Sequence, residues 1–287
     1  MYKRQPLFAL ALAKAGDGAA TGAALPDGFF NFFTTPQDII SGLGWGLGYF
    51  GMPHIIIRFM SLKSEKELRK SSVIGISWTT IILIMSALTA IAGRLYLGEI
   101  EDSSTVFITM VRRIFPALVS GLLLSAILSA AMSTADSQLL AASSAFASDV
   151  YKPVIRKKAS DSEMLWAGRI VVIVIAVVAL MIASDPNSGS IMGLVENAWG
   201  VFGAAFGPVI LLSLFWKRLT FGGTVAGIAA GAAVDILWLV FLSSTDIYEI
   251  VPGFAAGLLA AVVVSLLSKG PGKDVEDLFD RAVDLKS

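Results

Sequence analysis

Residues Gly42–Pro53 read GLGWGLGYFGMP and lie inside an apolar segment that runs from Ile39 to Ile57. The segment is long enough to cross a bilayer, yet five glycines and a proline interrupt it. Glycine costs about 1 kcal/mol in a helix interior and proline about 3 kcal/mol. A helix that only had to span lipid would gain nothing from them. The stretch therefore predicts a broken helix, whose freed backbone groups face protein or a watery cavity.

The composition is that of a membrane protein with many spans. Of the 287 residues, 55% are hydrophobic and 15% are charged, and the mean hydropathy is +0.76. This is too apolar for a soluble domain. A formal net charge of zero argues against a nucleic-acid partner. The absence of cysteine excludes disulfides and thiolate chemistry, and a single histidine, His54, cannot build a multi-histidine metal site.

About 20 apolar residues cross the hydrocarbon core of a bilayer, and by that measure the chain is an all-α polytopic membrane protein with about seven transmembrane spans. The predicted spans are residues 39–57, 72–93, 116–148, 164–184, 191–215, 222–243 and 249–267. The third is too long to lie upright, so it must tilt or extend into the cytoplasm. The chain then divides into an extracytoplasmic N-terminal segment (1–38), a transmembrane helical region (39–267) and a cytoplasmic tail (268–287).

Basic residues alternate between the loops and set the expected orientation. The loops after spans one, three and five, together with the tail, hold most of the lysines and arginines. The loops after spans four and six hold none, and the loop after span two, with Arg94, Arg112 and Arg113, is a weaker exception. The positive-inside rule then predicts a multi-pass protein of the plasma (inner) membrane, with the N-terminus outside and the C-terminus in the cytoplasm.

Two shorter segments have the pattern of amphipathic helices. Ser103–Phe115, between the second and third spans, is predicted to rest at the membrane interface. In the tail, Asp274–Leu285 carries apolar residues at near-helical spacing. We expect it to form a solvated or surface-lying helix.

Trp45, Tyr49 and Pro53 recur at i, i+4 and i+8, which places them on one face of a regular helix. An aromatic pair beside an unwound backbone suits a small amphipathic solute. The rings supply apolar contact and the Tyr49 hydroxyl a hydrogen bond, while freed amides can meet a carboxylate. The alternative is an aromatic stripe that packs on neighbouring helices. Broken helices mark binding sites in secondary transporters. Since the sequence shows no nucleophile–base pair, metal cluster or phosphate loop, we expect a transporter rather than an enzyme.

The third span carries serines at a spacing of four residues, which forms one hydroxyl-lined face. Its members are Ser125, Ser129, Ser133 and Ser137. Such residues also pack transmembrane helices closely and bond back to their own carbonyls, and this is the alternative interpretation. The pair Ser133 and Thr134 indicates more, because Na⁺ is a hard cation and prefers oxygen ligands. Hydroxyls and backbone carbonyls can bind it without retaining it.

Asp136 is the only carboxylate well inside the third predicted span, and Asp235 lies in the sixth. Intramembrane carboxylates are costly and are functional candidates by default. For Asp136 the alternative is a charge in the cytoplasmic half of the span, hydrated by a vestibule. Asp235 has no polar constellation around it in the sequence, so we expect an interfacial or a paired structural role.

The fifth span carries Gly200, Gly203 and Gly207 on one face, followed by Pro208. Small residues let transmembrane helices approach closely, and close packing is the interpretation that the spacing favours. The alternative is a thin, flexible helix that bends during alternating access.

Three segments strongly resemble the sodium:solute symporter family, specifically its sodium/proline symporter branch. They are GWGLGYFGMPHIIIRFM (44–60), SAAMSTADSQLLAASSAFASDVYK (129–152) and ENAWGVFGAAFGPVILLSLFWKR (196–218). They occur in the family's order and spacing, and the resemblance runs from about Leu25 to Leu267. It implies a LeuT-like fold, in which span one is the broken helix of the second inverted repeat. Spans two to five complete that repeat, and spans six and seven are peripheral.

The same resemblance implies sodium-coupled symport of L-proline, with Na⁺ as the coupling ion. Trp45, Tyr49 and Pro53 match positions implicated in solute binding. A second set matches the sodium site, and it comprises the hydroxyls of Ser133 and Thr134 and the carbonyl of Ala130. Ser137 matches a region close to the transport pathway, and Asp136 lies beside it.

Family members carry further spans before the matched region, and residues 1–38 do not resemble them. We therefore expect the chain to correspond to the C-terminal part of a symporter, and a separately encoded N-terminal half is one explanation. One alternative function is symport of another small solute, such as pantothenate, a monocarboxylate or a sugar. The other is a non-transporting membrane fragment that acts as a partner of a full-length symporter.

Overall fold

The computed structural model describes residues 35–60, 64–98, 100–185 and 189–284, and these residues contain helices and turns but no β-strand. They divide into two compact units. The first unit comprises the described residues between 64 and 172. The second comprises residues 35–60 together with the described residues after 172.

The helices in chain order are α1 (Pro36–Gly48), α2 (Pro53–Met60), α3 (Glu65–Leu97), α4 (Val106–Ile114), α5 (Ala117–Ala145), α6 (Asp161–Ser184), α7 (Ile191–Phe215), α8 (Phe221–Phe241), α9 (Ile250–Leu267) and α10 (Lys273–Asp284). Short 3₁₀ turns occupy Ser103–Thr105 and Ser243–Thr245. A π-helix, Phe146–Ile155, continues α5 and contains Pro153.

Six helical segments in the described part of the chain are long and apolar enough to cross a membrane. They are Glu67–Leu97, Ala117–Ile155, Asp161–Ser184, Ile191–Phe215, Phe221–Phe241 and Ile250–Leu267. These confirm predicted spans two to seven, and the third extends further than predicted, to Ile155. The predicted first span, 39–57, is not among the six, because the chain there forms two short helices rather than one long helix.

The break between α1 and α2 covers residues 49–52, which is narrower than the Gly42–Pro53 stretch that predicts it. The α1 helix starts with a capping box, in which Thr35 and Asp38 each accept a hydrogen bond from the other's backbone N–H. The helix stays regular through Gly48. Pro53 then opens α2, a position that suits proline because its missing N–H has no intrahelical partner there.

Glycines in and after α1 let its backbone approach α7. A methyl group added at Gly48 would overlap the indole ring of Trp199, and one added at Gly51 would lie 2.7 Å from the Cα of Gly203. At Gly46, by contrast, an added methyl group would have nothing within 4 Å. Some glycines of the segment therefore allow a neighbouring helix to approach closely, and others face open space. The glycines within α1 do not themselves break the helix.

In the first unit, α4 packs against α3 and α5 through an apolar core. Its members are Ala92, Leu97, Met110, Val111, Ile114 and Leu123. Met110 and Val111 on α4 are fully buried, and the hydroxyl of Ser120 on α5 donates a 3.0 Å hydrogen bond to the carbonyl of Val111. The helix predicted within Ser103–Phe115 is confirmed, and its apolar face is covered by protein. Its location at a membrane interface stays a prediction.

In the second unit, α7, α8 and α9 pack backbone to backbone. A methyl group added at Gly231 on α8 would overlap the carbonyl oxygen of Ala204 on α7. One added at Gly257 on α9 would lie 3.0 Å from the carbonyl oxygens of both Ala204 and Gly227. Small residues produce this close approach of transmembrane helices.

The glycine face predicted for the fifth span belongs to this close packing. A methyl group at Gly203 would lie 2.8 Å from the Cα of Gly48, and one at Gly207 would lie 2.6 Å from the ring of Phe254. The packing interpretation of these glycines is confirmed, and Pro208 lies inside the continuous helix α7.

The tail forms the predicted helix, α10, from Lys273 to Asp284. The ammonium group of Lys217, in the turn between α7 and α8, forms a 2.6 Å salt bridge with the carboxylate of Asp280 on α10. Leu285, where the predicted tail helix ends, lies outside the described residues, and so does the predicted N-terminal segment apart from residues 35–38.

Candidate functional site

Four aromatic rings of the second unit meet beside the break in the first predicted span. The ring centroid of Trp45 lies 6.2 Å from that of Trp199 and 5.4 Å from that of Tyr248. Tyr49 meets Trp199 edge-on, with centroids 4.9 Å apart and an interplanar angle of 84°. We refer to Trp45, Tyr49, Trp199 and Tyr248 as the aromatic cluster.

Hydrogen bonds to the main chain fix the position of these rings. The indole N–H of Trp199 donates to the carbonyl of Trp45 at 3.0 Å. The hydroxyl of Tyr248 donates to the carbonyl of Glu196 at 2.8 Å, and the N–H of Tyr248 donates to the hydroxyl of Ser41 at 3.0 Å. Because each bond joins two different parts of the chain, the cluster holds α1, α7 and the start of α9 together.

The three residues predicted for solute binding differ in what surrounds them. Trp45 is half-buried in the aromatic cluster, whereas Tyr49 is 54% exposed at the edge of it. Pro53 is exposed at the first position of α2, beyond the break. The face predicted from i, i+4, i+8 spacing therefore ends with the regular helix at Gly48. Trp45 fits the packing interpretation, while Tyr49 offers an accessible ring and hydroxyl.

The backbone amides in the break are engaged in turns. The N–H of Gly51 donates to the carbonyl of Gly48 at 3.0 Å, and the N–H of Phe50 donates to the carbonyl of Leu47 at 3.3 Å. The sequence predicts that freed amides here can meet a carboxylate. In this conformation these two amides already donate to main-chain carbonyls, so a bound carboxylate would have to replace those carbonyls as the acceptor.

The residues predicted for sodium lie together on α5, in the first unit. The hydroxyl of Thr134 donates to the carbonyl of Ala130 at 3.2 Å, which places two of the predicted ligand oxygens side by side. The hydroxyl of Ser137 donates to the carbonyl of Thr134 at 2.8 Å and to that of Ser133 at 3.1 Å. A hydroxyl that donates one hydrogen bond still offers its lone pairs as acceptors, so these oxygens remain able to bind a cation.

Asp136 lies close to these groups on the surface of α5. A shallow depression of about 490 Å³ brings Asp136 together with three serines of the predicted hydroxyl face, and it is lined by Ser129, Met132, Ser133, Asp136, Ser137 and Leu140. Within the described residues of the first unit, no other segment covers this face, because residues 128–138 are all exposed. The bonding of hydroxyls back to their own helix is confirmed for Ser125, Thr134 and Ser137. Packing of this face against a neighbouring helix is not observed in the first unit.

The family model of the Sodium:solute symporter family matches residues 13–231. The chain belongs to the sodium:solute symporter family. Both sets of predicted residues, on α1 to α2 and on α5, fall inside the matched range.

Curated relatives of this symporter-family chain are named as proline transporters. The high-affinity proline transporter PutP of Bacillus subtilis (strain 168) is 43% identical over 279 residues, which cover 95% of this chain and 59% of that protein. The sodium/proline symporter of Haemophilus influenzae is 45% identical over 274 residues, 91% of this chain and 54% of that protein. The osmoregulated proline transporter OpuE of Bacillus subtilis (strain 168) is 45% identical over 247 residues, which cover 84% of this chain and 50% of that protein. The chain thus spans about half to three-fifths of the length of these relatives.

Sequence reasoning missed Trp199 and Tyr248 in this symporter-family chain. Trp199 immediately precedes Gly200, the first glycine of the packing face on α7, so its place beside a close helix contact was a usable signal. Tyr248 lies in the connection between α8 and α9, residues 242–249. No local pattern there indicates that its ring turns towards Trp45.

The structure gives Asp235 a polar neighbour that the sequence did not reveal, whereas its predicted interfacial or paired structural role stays a prediction. Its side chain is fully buried in the second unit, and it faces Gly200 on α7 together with the carboxyl group of Glu249. Asp235 lies beyond residue 231, where the match to the symporter family ends. The polar neighbour was invisible in the sequence because Glu249 follows α8 and a loop, and only the packing of α9 against α8 brings it near.

Proposed function

We propose that this chain takes part in sodium-coupled symport of L-proline across the plasma membrane. The observation that carries the proposal is the match to relatives named as proline transporters, at 43–45% identity over 84–95% of this chain. The broken helix beside the aromatic cluster supports it, because transporters place their solutes at such breaks.

The proposed solute site uses Trp45, Tyr49 and Pro53. Proline combines an apolar ring with a charged amino and carboxylate end, so its recognition needs an apolar surface beside a polar group. The exposed ring of Tyr49 supplies the surface and its hydroxyl supplies a hydrogen bond. Trp199 supports Tyr49 edge-on at 4.9 Å and so holds that ring in place.

The proposed sodium site uses the carbonyl of Ala130 and the hydroxyls of Ser133 and Thr134. These are neutral oxygen donors, which suit a hard cation that must also be released. Ser137 and Asp136 would line the path to it, and Asp136 would attract cations electrostatically. Sodium bound here would raise the affinity for proline by a coupling free energy of about 1–3 kcal/mol, and proline would raise the affinity for sodium equally.

We further propose that the N-terminus lies outside and the C-terminus in the cytoplasm, since this orientation places the basic loops inside. A cysteine introduced at Ser190 should react with impermeant thiol reagents from outside, and one at Ser162 should not. Equal labelling of both positions from outside would contradict this orientation.

Transport itself is tested by counterflow of labelled proline in proteoliposomes. One preparation contains the chain alone, and the other adds a polypeptide that corresponds to the remaining length of a curated relative. We propose that such an N-terminal half is the partner of this chain, so we expect sodium-dependent proline counterflow in the second preparation. Unlabelled pantothenate, lactate or glucose should not compete. A failure of sodium to stimulate counterflow or proline binding in either preparation would favour a non-transporting membrane partner instead.

A further inference from the structure

Two carboxyl groups are buried where α7, α8 and α9 meet. Asp235 on α8 has no exposed surface, and Glu249, immediately before α9, is 8% exposed. A methyl group added at Gly200 would lie 3.1 Å from Oδ1 of Asp235 and 3.3 Å from Oε1 of Glu249. Both carboxyl groups therefore face the same small space over Gly200. On the other side, an added methyl at Gly253 would lie 2.9 Å from the Cβ of Asp235, so α9 closes that side.

The oxygens in this space have no hydrogen-bond partners. Within the part of the chain that the structure describes, neither carboxyl oxygen of Asp235 is hydrogen-bonded, and neither is Oε1 of Glu249. Buried polar groups in proteins are nearly always paired. An ionised carboxylate buried without a partner is far more costly than the neutral acid, so such a group gives up its charge.

Among the described residues of the helices that pack around the pair, no positive side chain offsets these charges. The titratable groups that face the pair are Glu196 on α7 and Tyr248 beside Glu249, and Asp38 lies in the first turn of α1, which packs against α7 and α9. The sequences of α1, α7, α8 and α9 contain no lysine, arginine or histidine. Trp238, one turn along α8 from Asp235, has a buried indole N–H without an acceptor among the described residues, but that group is neutral.

We propose that Asp235 and Glu249 form a proton-binding site, in which Asp235 is held as the neutral acid while the α7–α8–α9 bundle is packed. A proton suits the space better than Ca²⁺ or Mg²⁺, because those cations take about six or more oxygen ligands and the two oxygens nearest to a methyl group added at Gly200 are the pair's own. Among the described residues, no group of three or more His, Cys, Asp or Glu side chains is arranged to hold a metal. Asp235 and Glu249 lie beyond the family-matched range. The site belongs to the second unit, whereas the sodium residues on α5 belong to the first. It makes the packing of the bundle sensitive to alkaline pH, whatever solute the protein carries.

Infrared difference spectroscopy of the purified protein tests this site directly, without any transport measurement. The wild type should show a protonated-carboxyl C=O band at neutral pH that shifts in D₂O and disappears on alkaline titration. Asp235→Asn should remove this band. The matched control is Asp246→Asn, because Asp246 is exposed and in a left-handed conformation that asparagine adopts readily. The control should retain the band. Persistence of the band in Asp235→Asn would overturn the proposal.

Thermal unfolding supplies the second test. The midpoint of the wild type should fall as pH rises, because deprotonation places a second charge in a space that has no counter-charge, and Asp235→Asn should flatten that dependence. Sodium or potassium should leave the difference between the two proteins unchanged. A midpoint raised by either cation in the wild type but not in Asp235→Asn would show that a cation occupies the space and would overturn the proposal. If Asp235→Asn does not fold, the wild-type spectrum decides, since absence of the acid band at neutral pH contradicts a bound proton.

Discussion

The indole N–H of Trp199 donates a 3.0 Å hydrogen bond to the main-chain carbonyl of Trp45. The last four carbonyls of a helix lack intrahelical partners, and Trp45 is the first of these four residues in α1, which ends at Gly48. A side chain of α7 thus satisfies the end of α1 just before the break. The relationship ties the position of the break to the position of α7.

We predict that Trp199→Phe destabilises the second unit, because it removes this hydrogen bond and keeps most of the ring. A fully buried carbonyl left without its donor costs about 1–3 kcal/mol, and this one is partly buried, so we expect a loss towards the lower end of that range. The thermal midpoint of the purified protein measures the effect. Trp78→Phe is the control, since Trp78 on α3 is exposed, and equal midpoints for the two variants would show that the hydrogen bond does not stabilise the fold.

A second prediction compares two glycines of α1, Gly46 and Gly48, which are two residues apart and lie on opposite sides of the helix. Gly48→Ala should destabilise the protein by about 1–3 kcal/mol, because the new methyl group overlaps the indole of Trp199. Gly46→Ala should be neutral or stabilise by up to about 1 kcal/mol, since its methyl group enters open space and alanine favours the helix. Both are read from thermal midpoints, and a loss of stability in Gly46→Ala as large as in Gly48→Ala would contradict the packing described for α1.

The solute site makes a third prediction. Trp45→Ala and Tyr49→Ala should weaken proline binding at saturating Na⁺ and leave the sodium dependence largely intact. Tyr49→Phe separates the two functions of that side chain, because it retains the edge contact with Trp199 and loses the hydroxyl. Binding of labelled proline to the reconstituted complex is the measurement. Normal proline binding by both alanine variants would show that these aromatics serve packing alone.

The sodium site makes a fourth prediction. Ser133→Ala and Thr134→Ala should each raise the Na⁺ concentration for half-maximal transport about tenfold to a hundredfold, which corresponds to a lost contact of about 1–3 kcal/mol. Thr134→Ser should restore most of the affinity because it keeps the oxygen next to the Ala130 carbonyl. Initial proline uptake against Na⁺ concentration measures this, with expression checked for each variant. Ser144→Ala, further along α5, is the control. If Ser133→Ala and Thr134→Ala shift the half-maximal Na⁺ concentration no more than Ser144→Ala does, the two hydroxyls are not ligands.

The fifth prediction concerns the tail helix and pH. The hydrogen bond that the ammonium group of Lys217 donates to the carboxylate of Asp280 raises the pKa of Lys217 above the ordinary lysine value of about 10.4. A raised pKa in the folded state means that the stabilisation is complete below that ordinary value and is lost as pH rises through the raised value. Attachment of α10 should therefore be insensitive to pH near neutrality. Asp280→Asn should increase amide hydrogen exchange in residues 273–284, and unchanged exchange would show that the salt bridge does not hold the tail.

The sequence predicted the spans well because length and hydropathy alone determine whether a helix can cross a bilayer. It also located the break correctly, since Gly51 and Pro53 act on the local backbone. It did not limit the break to residues 49–52, because a glycine such as Gly46 weakens a helix without ending it. The fate of each glycine depends on what α7 places next to it, and this is tertiary information.

Part of the candidate site could likewise be predicted from the sequence, and part of it could not. The neighbouring oxygens of Ala130 and Thr134 follow from helical spacing, so sequence reasoning could group them. Trp199 and Tyr248 lie roughly 150 and 200 residues from Trp45 along the chain, and no local pattern joins rings at that separation. The burial of Asp235 beside Glu249 is another long-range result, which depends on how α8 and α9 pack.

The close packing of α7, α8 and α9 also constrains how the gene can change. Five positions of α8 and α9 would bring an added methyl group within 3.0 Å of a neighbour, namely Gly223, Gly227, Gly231, Gly253 and Gly257. Every glycine codon begins with GG, and any change in those two bases introduces a side chain or a stop. Single-base changes at these codons are therefore either silent or harmful. We expect divergence between close homologues to accumulate first at the outward-facing positions of the same helices, such as Leu237 and Leu259, where one apolar residue replaces another without loss.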